Sequence, residues 1–173
     1  MNLTVKLVGV DDTEYSLVML VSLRPYLVNE FKKSLEIRGI SDEHEIQIWR
    51  SRFEKSGAWD DHYLHLAIDL SGILVGDLQI RRCPQTMPDG VLELGLEIDS
   101  TKRGLGIGTQ SLNLASQRFL GSEAHRLSGS TAVENLAMIG AFEKAGWIRE
   151  GLLKGLFNTN GKLIDYVSYS KTI

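Results

Sequence analysis

Apolar and polar residues alternate along several short segments of the chain, which is the pattern of half-buried β-strands. It predicts seven strands, at residues 3–8, 63–70, 73–81, 91–98, 126–133, 147–153 and 163–170. Apolar residues at helical spacing predict four helices, at residues 13–23, from residue 41 to about 53, from a glycine-rich turn at 103–108 to about 120, and at 135–145. The resulting order, β-α-α-β-β-β-α-β-α-β-β, predicts a mixed α/β sheet rather than a regular array of βαβ units.

Short polar residues and glycines mark several boundaries of these elements. Asp11 and Asp12 are N-cap candidates for the first helix, and Gly146 follows the last helix at the position where helices often end. The pair Ser71-Gly72 predicts a hairpin turn, and Asn160-Gly161 lies in the loop between the last two strands.

Composition places the chain among ordinary globular proteins. It has 173 residues, and 43% of them are apolar, so we expect a single domain over residues 1–173 with one sizeable core. The 19 basic and 22 acidic residues give a net charge of −3, which argues against nucleic acid or an anionic membrane as the main partner.

The few cysteines and histidines exclude several kinds of site. Cys83 is the single cysteine, so no internal disulfide can form. One cysteine and four histidines in the whole sequence also argue against a structural metal site. No secretory signal and no membrane-spanning stretch is visible, so we expect a cytoplasmic protein.

The segment Arg103-Gly104-Leu105-Gly106-Ile107-Gly108 is the most informative part of the chain. It connects a predicted strand to a predicted helix, and such a turn leaves backbone N–H groups free to bind phosphate. No lysine follows Gly108, as a Walker loop requires, and neither glycine frame completes a dinucleotide fingerprint. From the residues alone, an ordinary strand–helix turn remains the alternative.

The spacing Arg103-x-x-Gly106-x-Gly108 resembles the acyl-CoA pyrophosphate loop of the GNAT superfamily of N-acetyltransferases. Other segments resemble its ribosomal-protein N-terminal acetyltransferase (RimJ/RimL-like) branch, in the family's order. They are Ile73-Leu74-Val75-Gly76-Asp77, Glu93-Leu94-Gly95-Leu96, Val133-x-Asn135, Phe142-Glu143-Lys144-Ala145-Gly146-Trp147, and Arg149-Glu150-Gly151 with Asn160-Gly161 and Asp165. The resemblance covers about residues 63–171 and implies a GNAT fold, with helices on both faces of the sheet and a splayed acyl-CoA cleft.

The resemblance also implies which residues hold acetyl-CoA. In the family the pyrophosphate lies on the loop amides, and the pantetheine arm pairs with the strand before the loop like an added β-strand. Asn135 matches an asparagine that contacts the pantetheine arm, although its position also suits a helix N-cap. The implied acetyl-CoA contacts are Leu96, Ile98, Arg103, Gly104, Leu105, Gly106, Ile107, Gly108, Thr109, Asn135 and Phe142.

Two carboxylates are candidates for accepting the proton of an attacking amine. On the predicted strand, Glu93 and Glu97 share one face with Gly95, while the leucines share the other. A solvated face of an edge strand is the alternative explanation. Glu93 matches the family motif and is our first choice as catalytic base, with Glu97 as the second.

Two positions depart from the family pattern. Many members use a tyrosine on the last helix to protonate the departing thiolate, and some have a serine three residues after the asparagine. Phe142 and Met138 occupy these positions and carry no proton to donate. Tyr166 and Tyr169 are substitutes to consider.

The resemblance implies an acetyl-CoA-dependent N-acetyltransferase in which a primary amine, from a peptide N-terminus or a small molecule, attacks the thioester directly. No metal is expected, and a homodimer is left open. The alternatives are a catalytically weak acyl-CoA-binding module and a transferase that uses a different acyl donor.

Overall fold

The computed structural model describes residues 3–8 and 14–173. The strands are β1 Leu3–Val8, β2 Glu14–Met19, β3 Val21–Arg24, β4 Tyr63–Leu70, β5 Ile73–Arg81, β6 Val91–Ile98, β7 Arg126–Ala132, β8 Ile148–Thr159 and β9 Lys162–Thr172. The α-helices are α1 Phe31–Arg38, α2 Glu43–Glu54, α3 Ile107–Phe119 and α4 Leu136–Lys144. Short 3₁₀ turns lie at Val28–Glu30 and Ser100–Lys102.

Seven strands form one mixed sheet in the order β3-β4-β5-β6-β7-β9-β8. Neighbouring strands are antiparallel except β6 and β7, which are parallel. Strands β1 and β2 pair in a separate two-stranded sheet. The predicted mixed sheet is therefore confirmed.

The helices cover both faces of this sheet. Leu64, Leu66 and Ile68 of β4 join the larger core cluster, which also contains residues of α3 and α4. Ala67, which points to the opposite face, packs with Trp49 of α2 in a smaller cluster. Alternation along a single strand thus assigns α3 and α4 to one face and α1 and α2 to the other.

The helix predicted at residues 13–23 is wrong, because β2 and β3 occupy this region. β2 pairs with β1, and β3 pairs with β4 at the edge of the main sheet. The odd-numbered positions from 15 to 23 are all apolar, which is a strand period that the helical interpretation overlooked. The N-cap candidates Asp11 and Asp12 lie outside the described residues.

The remaining predicted elements lie close to their predicted places, with two differences. Helix α1 was not predicted as a separate element. Strand β8 continues to Thr159 through a change of register after Leu153, so the predicted loop shrinks to a tight Asn160-Gly161 turn in which both residues have positive φ. Asp42 caps α2 by accepting a hydrogen bond from the Glu45 amide.

Strands β6 and β7 stay paired only at their beginnings. The last paired residues are Glu93 and Ser128, and beyond them the two parallel strands separate. The backbone of residues 94–98 therefore lies beside an opening in the middle of the sheet, and α3 begins shortly after this segment.

Candidate active site

The glycine-rich turn gives α3 an N-terminus whose amides have no side-chain cap. Gly104 and Gly106 adopt φ values of 80° and 77°, a left-handed conformation that favours glycine. Gly106 is the N-cap residue, and it has no side chain with which to cap the first amides. These N–H groups remain available to an anion, and the helix dipole favours negative charge at the same place.

A cavity of about 590 Å³ extends from this turn into the opening between β6 and β7. Its walls contain ten of the eleven residues expected to contact acetyl-CoA: Leu96, Ile98, Arg103, Gly104, Gly106, Ile107, Gly108, Thr109, Asn135 and Phe142. Leu105 differs, because its exposed side chain is not part of the wall. The volume lies within the range of ligand-binding pockets.

Gly108 allows α3 to approach the strand and α4 closely. A Cβ built on Gly108 would lie 3.4 Å from Leu96 Cδ2 and 3.7 Å from Ala141 Cβ. A larger side chain here would push the helix away from β6 and distort the wall of the cavity.

Asn135 is the N-cap of α4 and also lines the cavity. Its Oδ1 accepts a hydrogen bond from the Met138 amide at 3.1 Å. The capping role is thus present, and it leaves the amide nitrogen of the side chain free to donate to a ligand.

The last helix offers no tyrosine hydroxyl to the cavity. Phe142 is 1% exposed and stacks on Tyr169, with ring centroids 4.8 Å apart. The Tyr169 hydroxyl donates to Glu143 at 3.2 Å, and burial and this contact raise the pKa of Tyr169. Tyr166 packs on Phe157. Neither tyrosine is among the described residues that line the cavity.

Glu93 lies at the point where β6 and β7 separate, and both of its carboxylate oxygens have partners. Arg81 Nη2 is 3.2 Å from Oε1, and Cys83 Sγ is 3.6 Å from Oε2. Burial and the negative charge of Glu93 raise the pKa of the Cys83 thiol, so the protonated thiol donates to the carboxylate. Glu93 lies beside the cavity rather than in its wall.

Glu97 lies farther along the same face of β6 and is held by the turn itself. Arg103 Nη2 donates to Glu97 Oε1 at 2.7 Å, and Arg103 Nε donates to the carbonyl of Ile98 at 3.0 Å. Glu97 and Arg103 also line a second cavity of about 470 Å³, which lies between α1 and the end of β6.

A model of the acetyltransferase (GNAT) family matches residues 25–147. The chain belongs to the GNAT acetyltransferase family. This match covers β4 to β7 and helices α1 to α4, including the glycine-rich turn and both candidate carboxylates. The general chemistry of this family is acetyl-CoA-dependent N-acetylation. No curated protein matches the chain by sequence.

Solved GNAT structures share the fold at low sequence identity. The ribosomal-protein alpha-N-acetyltransferase RimL, in complex with CoA, is 16% identical with a TM-score of 0.74, over 88% of this chain and 94% of that one. The microcin self-immunity acetyltransferase MccE, in complex with acetyl-CoA and AMP, is 17% identical with a TM-score of 0.73, over 88% and 92%. The spermidine N-acetyltransferase SpeG of Vibrio cholerae is 15% identical with a TM-score of 0.71, over 88% and 93%.

Sequence reasoning missed two contacts of Glu93. Arg81 faces Glu93 across the antiparallel pair of β5 and β6. The loop of residues 82–90 connects these two strands, and a loop of this length does not fix how they pair. The sequence alone therefore could not give the register of β5 against β6. The contact between Cys83 and Glu93 was missed for the same reason, because Cys83 lies in that loop.

Within the described part of the chain, no group of three or more potential ligands could hold a metal ion. His65 is buried and lies 3.7 Å from Asp77, where it belongs to a polar cluster between the sheet and α1. No helix among these residues is long and apolar enough to cross a membrane.

Proposed function

We propose that this protein transfers an acetyl group from acetyl-CoA to a primary amine by direct attack of the amine on the thioester. The observation that carries the proposal is a single cavity that joins the uncapped N-terminus of α3 to the opening between β6 and β7. The amides at its one end suit a pyrophosphate, and the free strand edge at its other end suits the amide groups of a pantetheine arm.

The residues present fit acetyl-CoA. The amides from Gly104 to Gly108 and the guanidinium of Arg103 would hold the phosphates, and the backbone of residues 94–98 would pair with the pantetheine arm. Asn135 would donate to that arm with its side-chain amide. Acetyl-CoA supplies an activated acetyl group, whose C–S bond breaks as the C–N bond to the amine forms.

Glu93 is the proposed acceptor of the amine proton, directly or through water. It lies where the strands separate, on the face that carries α1 and α2, whereas the α3 turn lies on the opposite face. Arg81 and Cys83 fix the orientation of its carboxylate. Glu97 is the second candidate, since it faces the same side of β6 but is engaged by Arg103.

The departing thiolate needs no dedicated acid. A thiol has a pKa near 8.5, so the sulfur can leave as thiolate and take its proton from water. Phe142 at the family's tyrosine position is therefore compatible with turnover. If the absence of an acid were decisive, the protein would instead bind acyl-CoA without fast chemistry.

The proposed acceptor is a peptide N-terminal amine or a small-molecule amine. RimL is a ribosomal-protein alpha-N-acetyltransferase and SpeG is a spermidine N-acetyltransferase, so the same fold serves both kinds of acceptor. An α-amine, with a pKa near 7.7–8.0, needs less assistance at neutral pH than an alkyl amine.

Two measurements test the proposal. Calorimetry should show that the protein binds CoA. In an activity assay, the release of free thiol from acetyl-CoA should require an acceptor amine, drawn from a panel of peptides, amino acids and polyamines. If the protein binds CoA but turns over no combination of acceptor and acyl-CoA, the result would favour a binding module. Turnover only with a longer acyl-CoA would favour a different donor.

We further propose that the protein works in the cytoplasm, where acetyl-CoA is available.

We also propose that the protein forms a homodimer through β8. This edge strand exposes Leu152, Leu156 and Phe157. An exposed apolar edge strand is a common pairing surface. Sedimentation of the wild type and of Leu156→Lys would test this, because a dimer should dissociate in the variant.

A further inference from the structure

The two cavities described above meet at one ion pair. Arg103 and Glu97 are the two residues that line both of them. The first cavity contains the proposed phosphate site, and the second lies on the other side of β6 beneath α1. The pair joins them through the 2.7 Å contact between Arg103 Nη2 and Glu97 Oε1.

Two cations face three carboxylates in the second cavity while this pair is intact, because its third cation, Arg38, is bound to Asp77 outside the lining. The lining includes three acidic and three basic side chains, which are Glu36, Glu97, Asp99, Lys33, Arg38 and Arg103. Lys33 lies 2.6 Å from Asp99 and 3.6 Å from Glu36, and Arg38 is bound to the buried Asp77. Arg103 is therefore the single cation within reach that neutralises Glu97 among the described residues of this cavity.

The pair is exposed and easily exchanged. The side chains of Arg103 and Glu97 are 56% and 43% exposed, and ion pairs this exposed contribute little. A guanidinium that meets a phosphate forms bidentate, charge-assisted hydrogen bonds, which are among the strong ones. A pyrophosphate at the α3 turn would thus outcompete the Glu97 carboxylate for Arg103.

We propose that binding of the CoA pyrophosphate draws Arg103 away from Glu97, and that the released carboxylate then holds an ammonium group of the acceptor in the second cavity. This inference rests on the proposed function and adds a binding role for Glu97 and an order of events. The second cavity becomes more acidic when the first is occupied, because Glu97 then loses its cation. Because binding linkage is reciprocal, a cation at Glu97 strengthens CoA binding as well.

A double-mutant cycle on CoA affinity tests the competition without any knowledge of the acceptor. Glu97→Gln should tighten CoA binding by about two- to fivefold in calorimetry. In this variant Arg103 can bind the pyrophosphate without first breaking an ion pair with Glu97. In an Arg103→Gln background the same change should have no effect. Glu36→Gln, a carboxylate of the second cavity that does not touch Arg103, is the matched control and should leave the CoA Kd unchanged.

A second titration tests the released carboxylate. Spermidine, used as a probe with primary ammonium groups, should bind the CoA-loaded wild type more tightly than the free protein, and Glu97→Gln should abolish that difference. An unchanged CoA Kd in Glu97→Gln, an equal effect in the Arg103→Gln background, or a spermidine affinity indifferent to CoA would overturn the inference. Failure of the wild type to bind CoA would instead refute the proposed function.

Discussion

Replacing Glu93 by glutamine removes the basicity of the proposed catalytic carboxylate while keeping its size. The Arg81–Glu93 pair is about one third exposed on each side, so its loss should cost at most about 1 kcal/mol of stability. General-base assistance is worth about 10²- to 10⁴-fold in rate, or about 2.7–5.4 kcal/mol in the barrier. The rate loss should therefore exceed any effect on folding by a wide margin.

The assay is thiol release from acetyl-CoA with the best acceptor of the panel, measured across pH. For Glu93→Gln, kcat should fall by about 10²- to 10⁴-fold at pH 7, while CoA affinity changes little. The deficit should shrink as the pH approaches the pKa of the acceptor amine, since the free amine then needs no base. Glu134→Gln, an exposed carboxylate outside both cavities, is the control and should keep wild-type activity.

Two outcomes would refute this reasoning in different ways. Full activity of Glu93→Gln at pH 7 would exclude Glu93 as the base and leave Glu97 to be tested next. A large deficit that stays constant with pH would show that Glu93 acts by orienting Arg81 or the substrate. Arg81→Gln would then reproduce the same constant deficit.

Three further changes test other parts of the structure. Asn135→Ala should cost about 1 kcal/mol of stability through loss of the helix cap, and it should weaken CoA binding in calorimetry by more than this loss explains. A lower melting temperature with unchanged CoA affinity would leave capping as the only role of Asn135. Gly106→Ala should cost about 1–2 kcal/mol in denaturant unfolding because of its left-handed φ, and should weaken CoA binding as the turn distorts. The hydrogen bond from Lys33 lowers the pKa of Asp99 to about 2, so the stability that Asp99 adds is complete above about pH 4 and is lost as pH falls toward 2; Asp99→Asn should remove this part of the acid dependence of unfolding.

The sequence was sufficient for most of the sheet because its central strands have local signals. Apolar residues occupy every second position from 64 to 70, and a Ser-Gly turn separates this segment from residues 73–81. The structure places β4 and β5 at residues 63–70 and 73–81. The prediction failed in the region of β2 and β3, where the local signal was ambiguous. Its apolar residues are dense enough to fit either period, and pairing with β1 and β4 decided between them.

Nine of the eleven candidate CoA contacts lie in one continuous stretch, residues 96–109, so their closeness in space could be predicted from the sequence. The turn at 103–108 follows β6 directly and begins α3, so sequence order alone brings the strand, the loop amides and the helix N-terminus together. Asn135 is separate in sequence, but its position as N-cap of α4 follows from the helical pattern after it. The structure surrounds one cavity with these segments.

The roles of the two carboxylates could not be read in the same way, because each depends on a partner that its own strand does not supply. Glu93 and Glu97 lie on one face of β6, and the sequence distinguishes them only by the family motif that Glu93 matches. Arg81 reaches Glu93 from a neighbouring strand, whereas Arg103 folds back onto Glu97 from the glycine-rich turn. One carboxylate is thereby fixed beside the strand opening, and the other is held by a residue of the proposed phosphate site. This difference in partners makes Glu93 the candidate for proton transfer and Glu97 the candidate for sensing the bound donor.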